Sequence, residues 1–274
     1  MLKHRSFRLV PLLALAALAC KPPSVPVTVP APPVMSWRVA TAHLEDIFEA
    51  IPNSSIDAFR METPDEERLR VNASHGEAGV QEDKAHIYGE PAPATTDLML
   101  RRLGVGADDV LYDLGSGRGY FLMQALLTTP LRKAVGVELA TSRVAIGLTA
   151  RQMMSDQGLL QGKLLDLREQ EMTQSDCGDA TLVYMDSVFF SDQLLDTVAE
   201  HLSHARHLRG IVMIMKGLPP NPWFEVAGRE RWKMSWSPKF GSEVIFYRRT
   251  AAPAGRTPEA LRTPDPAQPA PTVE

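Results

Sequence analysis

Between residues 37 and 51 the apolar positions recur at helical spacing, with Val39, Leu44, Ile47, Phe48 and Ile51 on one stripe and His43 at its edge. That pattern predicts an amphipathic helix packed on a larger body. Residues 52–83 are polar and weakly patterned, and read as helix and loop. A second helix is expected over 95–103, with Thr95 or Thr96 as N-cap and Gly104 and Gly106 ending it. From there the pattern changes. Short apolar runs at 110–113, 134–138, 162–166, 180–185 and 210–216 read as buried strands. Helical segments separate them: 121–128, one from Thr141 to about 156 with Gly158 as its stop, and one capped by Ser191. The last two strands, 231–236 and 243–248, have no helix between them, only Pro238 and Gly241. Strands alternating with helices predict a parallel sheet covered on both faces, closed here by an antiparallel hairpin.

The first strand runs straight into D-L-G-S-G-R-G, where Asp113 precedes Gly115, Ser116, Gly117 and Gly119, and Tyr120 opens the next helix. Glycines let backbone approach a ligand that a Cβ would obstruct. Amides at the following helix N-terminus favour an anionic group. The dinucleotide fingerprint places its third glycine where this chain has Tyr120, so a nicotinamide cofactor is disfavoured. Glycines spaced G-x-G-x-G with an acid two residues ahead are the form associated with S-adenosyl-L-methionine (SAM). SAM carries a sulfonium and an ammonium, which a carboxylate at Asp113 can meet. Glu138, at the end of the second strand, is placed to accept the two ribose hydroxyls. Asp166, at the expected end of the third, is placed to accept the adenine amino group. The fold expected is therefore α/β, a class I methyltransferase (Rossmann-like) sheet with a C-terminal antiparallel hairpin.

After the fourth strand comes M-D-S-V-F-F. Its D-x-x-F spacing is similar to the [DN]-P-P-[YF] pattern of methyltransferases that modify amines. Asp186 is the candidate acceptor of a hydrogen bond from the attacking amine, and Phe189 and Phe190 are candidates to stack on its stem or charge.

These residues together resemble the non-SET, "disruptor of telomeric silencing" type of histone lysine methyltransferase. The resemblance covers residues 88–249. It rests on Y-G-E at 88–90, D-L-G-S-G-R-G, V-G-V-E at 135–138, the M-D-S-V-F-F segment, Lys216 after G-I-V-M-I-M, and M-S-W-S-P-K-F-G-S-E-V-I-F-Y. It implies a class I fold, SAM as cofactor, a side-chain amine as acceptor, and Tyr88 and Glu90 folding over the cofactor as part of a lid. The family's paired asparagines are replaced here by Asp186 and Ser187, and the C-terminal tail is rich in Pro and Ala, not basic.

The formal net charge of −4 disfavours a protein whose main work is coating nucleic acid. His201, His204 and His207 recur every three residues and drift around a helix, which disfavours a metal trio. The N-terminus adds a conflict. Lys3, His4, Arg5 and Arg8 precede an uncharged apolar stretch ending Ala17-Leu18-Ala19-Cys20, the layout of a secretory signal with a lipobox-like cysteine. Lipidation at Cys20 would be the route to a membrane; translation from Met35 would instead leave a cytoplasmic protein. The organisation expected is a signal segment (1–20), a Pro-rich tether (21–35), a helical extension with the lid (36–107), the SAM-binding domain (108–250) and a disordered tail (251–274). The leading function is methyl transfer from SAM to an amine acceptor on a protein or a small molecule, with a protein lysine as one candidate. The alternatives are a small-molecule methyltransferase and a non-catalytic lipoprotein that keeps the fold as a binding module, since an exported protein would not meet cytosolic SAM.

Overall fold

The computed structural model describes residues 34–54, 64–75 and 87–250. All of these belong to one unit, Ala31–Glu274. The signal segment, Cys20, most of the Pro-rich tether and the C-terminal tail lie outside the described residues.

A seven-stranded sheet forms the core, in the order β3-β2-β1-β4-β5-β7-β6. Its strands are β1 (Val110–Leu114), β2 (Lys133–Glu138), β3 (Leu164–Glu169), β4 (Leu182–Asp186), β5 (Gly210–Ile214), β6 (Phe224–Met234) and β7 (Ser237–Arg249). The first five are parallel, while β7 runs antiparallel to both β5 and β6. Successive side chains of a strand face opposite ways. Leu111, Ala134, Leu182 and Val212 thus join one apolar layer with α1 (Trp37–Glu49), α3 (Pro93–Leu103), α4 (Tyr120–Thr128) and α5 (Thr141–Asp156). Tyr112, Val135, Val183 and Ile211 face the other layer, under α6 (Asp192–Ser203). The short α2 (Asp65–His75) lies against the β2–α5 connection, where Val71 meets Ala140 and Leu139.

Several expectations are corrected in detail. The α3 N-cap is Ala92, followed by Pro93. Proline suits the first helical position because its missing N–H would have no partner there. The hydroxyl of Thr95 donates instead to the carbonyl of Lys233, and Thr96 is buried. Val39 is exposed, so the packing stripe of α1 starts at Ala40. β3 begins and ends later than the apolar run suggested. Asp166 pairs in register with Val135 in mid-strand, and Glu169 is the residue opposite Glu138. The final hairpin is longer than expected, with Pro238 and Gly241 inside β7 and the turn at 235–236. Register shifts occur between Trp232 and Met234, and Gly241 (φ 68°) sits where a Cβ would lie 2.6 Å from the carbonyl oxygen of Trp232. A proline is tolerated at such an irregularity because the ladder is already broken there.

Candidate active site

The chain reverses its strand order beside β1, which has β2 on one side and β4 on the other. A crevice forms at the C-terminal ends of the strands at such a switch point. Three carboxylates are carried there by consecutive positions in the sheet: Asp113 on β1, Glu138 at the end of β2 and Asp186 at the end of β4.

The glycine loop is held by main-chain bonds. The amides of Gly115 and Ser116 both donate to the carbonyl of Val137, at 2.8 and 3.0 Å. Gly115, Gly117 and Gly119 all adopt positive φ (92°, 53° and 82°), a region in which a side chain would be strained. The carboxylate of Glu138 closes the loop: Oε2 accepts from the Gly117 amide at 2.8 Å, and Oε1 accepts from the amides of Leu139 (2.9 Å) and Ala140 (2.8 Å). An ionised carboxylate has about four acceptor sites, so one remains for a ligand hydroxyl in this arrangement.

Asp113 is in the opposite condition. It is 2% exposed, and its Oδ1 has no hydrogen-bond partner. Burial, reinforced by the negative charges of Glu138, Asp186 and Glu90, pushes its carboxyl well above the usual range. Burial also raises Asp186, to about 7, against a lowering hydrogen bond from the Val188 amide. Asp113 is thus a buried acid with other carboxylates for neighbours, a setting that suits a cationic ligand.

A cleft of about 870 Å³, its open mouth included, is lined by Glu138 and Asp186, while Asp113 stays outside its wall. Of the residues singled out in sequence, Gly115, Glu138, Asp186, Phe189, Phe190 and Tyr88 line it. The Phe190 ring closes on Gly115, where a Cβ would stand 3.2 Å from Cζ. Tyr88 rests on Gly117 so closely that a Cβ there would come within 1.9 Å of the ring. The glycine at 117 is thus required by the tyrosine above it as well as by its own φ.

Other expected cofactor residues lie elsewhere. Asp166 is bound to Arg168 (2.8 Å), away from the cleft, because the strand end falls three residues later than the acid. Tyr120 points toward α1 and packs on Phe48 (5.7 Å between centroids). Ser116 and Gly119 shape the loop beneath the cleft without lining it. Glu90 also leaves the cleft: both of its oxygens face Arg118, at 2.7 and 2.8 Å.

Sequence reasoning missed Arg143, Trp236, Val71, Ile87 and Val188, all of which line the cleft. Arg143 lies 3.9 Å from Glu138, with its guanidinium over the Tyr88 ring at 5.1 Å. Its position in the first turn of the helix after β2 was the one signal in sequence. Trp236, in the hairpin turn, packs on Gly89 and bonds through Nε1 to Ser242 (3.2 Å). α2 braces the far side, where Glu67 accepts from the amide (3.1 Å) and hydroxyl (2.7 Å) of Ser142. Arg70 donates to the Leu139 carbonyl at 2.5 Å.

The family described as "Histone methylation protein DOT1" matches residues 79–222, just over half of the chain. The chain belongs to the DOT1 family. A Caenorhabditis elegans relative, "Histone-lysine N-methyltransferase, H3 lysine-79 specific", is 29% identical over 137 residues, which cover 47% of this chain and 14% of the relative. The chain thus matches only a small part of that protein's length. Among solved structures, an RNA methyltransferase from Salinibacter ruber in complex with S-adenosyl-L-homocysteine is 22% identical, with a TM-score of 0.45 over 60% of this chain and 97% of that one. The magnesium protoporphyrin IX methyltransferase of Synechocystis PCC 6803, with bound SAM, is 13% identical, with the same TM-score of 0.45 over 73% and 99% of the two chains. SAM is the cofactor of the DOT1 family, and this cleft fits it. Glu138 and Asp186 line the cleft, Glu138 retains acceptor capacity beside the glycine loop, and Asp113 on β1 holds a buried oxygen without a hydrogen-bond partner, although it is not itself in the cleft wall.

Proposed function

We propose that this DOT1-family chain transfers the methyl group of SAM to an amine, and that a protein lysine is the acceptor. The observation that carries the reading is the pair of carboxylates, Glu138 and Asp186, lining one cleft at the switch point, with the buried Asp113 on the strand between theirs holding an oxygen that has no hydrogen-bond partner. The C. elegans relative, named for methylation of a histone lysine, supports the acceptor class.

When bound, SAM supplies an electrophilic methyl on a leaving group that is already activated. The chain's own work is to position the amine, remove its proton and exclude water. Asp113 and Glu138 bind and orient the cofactor. Tyr88, Phe190, Val188 and Trp236 wall the cleft with apolar and aromatic surface. Phe189 and Phe190 offer aromatic faces to the acceptor's apolar stem and to its charge. A lysine arrives as an ammonium and has a usable lone pair only after losing a proton. The carboxyl of Asp186, raised to about 7 by burial, accepts that proton near neutral pH, which the amide of an asparagine cannot do.

The test is methyl transfer from radiolabelled SAM by the full chain to lysine-bearing proteins, to the same proteins with their amines blocked, and to free amines. Label on unblocked proteins alone is expected. Label on blocked proteins would refute the amine acceptor, and label only on free amines would refute the protein lysine.

A further inference from the structure

The x position of G-S-G-x-G is Arg118, and it is the largest fully buried side chain among the described residues. A guanidinium in such a place needs every donor directed at a partner. Nε and Nη2 form a two-pronged pair with the carboxylate of Glu90, and Nη1 donates to the Ser54 carbonyl at 2.6 Å. Its Cζ lies 4.1 Å from the centroid of Phe48 and 5.4 Å from that of Tyr120. Three segments remote in sequence therefore meet at one cation: the end of α1, the strap at 87–90, and the glycine loop.

The strap owes its placement to this contact. The Tyr88 hydroxyl donates to Glu90, so the ring that covers Gly117 is tied to the same ion pair. On its other side the strap is held by the hairpin, through the Ser235 hydroxyl on the Glu90 carbonyl (2.7 Å) and Trp236 against Gly89. Neither Glu90 nor Ser54 lines the cleft, so Arg118 acts on it through Tyr88.

We infer that Arg118 is a positioning residue that sets cofactor affinity by locking the Tyr88–Glu90 strap over the glycine loop, and so makes the N-terminal helix part of the cofactor site. The inference rests on the SAM reading of the cleft. It differs from a purely structural role in a measurable way. Neutralising both partners removes the buried charge and heals the fold, but it does not restore the two-pronged lock. Arg118→Lys keeps the charge yet cannot satisfy both Glu90 oxygens and the Ser54 carbonyl together.

The experiment measures S-adenosyl-L-homocysteine binding by calorimetry, and thermal unfolding, for the full chain, Arg118→Lys, and Arg118→Met combined with Glu90→Met. The double variant is expected to unfold within a few degrees of the parent yet bind about tenfold more weakly, within the usual range of coupling between two sites. Arg118→Lys is expected to fold and to show a loss of similar size. Parent-like affinity in either folded variant overturns the inference. Absence of binding by the unmodified chain would instead refute the cofactor reading.

Discussion

The glycine loop has buried charge at both ends, and the two ends differ in kind. At one end Arg118 and Glu90 are paired through two parallel bonds, with the Ser54 carbonyl and the Tyr88 hydroxyl completing the cluster. At the other end Asp113 lies buried with an unpartnered oxygen and other carboxylates for neighbours. A paired buried charge is an internal brace, complete without a ligand. A buried acid among acids is destabilising on its own and is offset only when a cation arrives. The contrast separates the residues that build the site from those that use it, although Asp113 and Arg118 belong to one motif.

The largest effect is expected where the two ends meet. Gly117→Ala places a Cβ inside the Tyr88 ring and forces a positive φ on alanine. Displacement of the strap should weaken SAM binding by about a hundredfold, the upper part of the range for coupled sites. Titration of the variant checks it, with circular dichroism to confirm the fold. Next is Arg118→Met alone, which strands the carboxylate of Glu90 in the interior. Breaking one side of such a pair costs about 3–5 kcal/mol, to be read from denaturant unfolding.

The acidic end should respond with the opposite sign. Asp113→Asn removes a carboxyl that is costly in the ligand-free protein, so unfolding free energy should rise by about 1 kcal/mol while SAM affinity falls. Lost stability in that variant would mean Asp113 is a structural group and not a cation's partner. Asp186 makes the smallest change, in pH dependence. Its folded pKa of about 7 lies above the ordinary 3.8, so its favourable contribution to folding is complete below 3.8 and is lost as pH rises through about 7. Catalysis requires the ionised form, so turnover should rise through that same range. Asp186→Asn should remove the step from the pH–rate profile and flatten the matching fall in stability.

What the sequence disclosed follows the same division. Gly115, Gly117, Asp113 and Glu138 were legible because a loop and the strand ends beside it leave a local signature of spacing. Phe189, Phe190 and Asp186 were legible from the short segment following a strand. Asp166 was misplaced because a strand's end is fixed by pairing with its neighbour, here Val135 and Glu138, and not by its own apolar run. The Arg118 brace left no local trace: its partners Glu90 and Ser54 stand 28 and 64 residues away. Within G-S-G-R-G, nothing in the spacing singles Arg118 out. The hairpin was underestimated because Pro238 and Gly241 usually mark turns, whereas β7 accommodates both at an irregularity in its pairing.

The most direct test of the contrast is calorimetry of SAM binding to the full chain near pH 6.5, in buffers of different ionisation enthalpy. Burial and the neighbouring acids hold the Asp113 carboxyl well above its usual range, so if the cation of SAM seats beside it, binding must release protons: the apparent enthalpy must vary with the buffer and affinity must increase as pH is raised toward 8. Binding without proton release, or no binding at all, would contradict the assignment of the acidic end as the cofactor's seat.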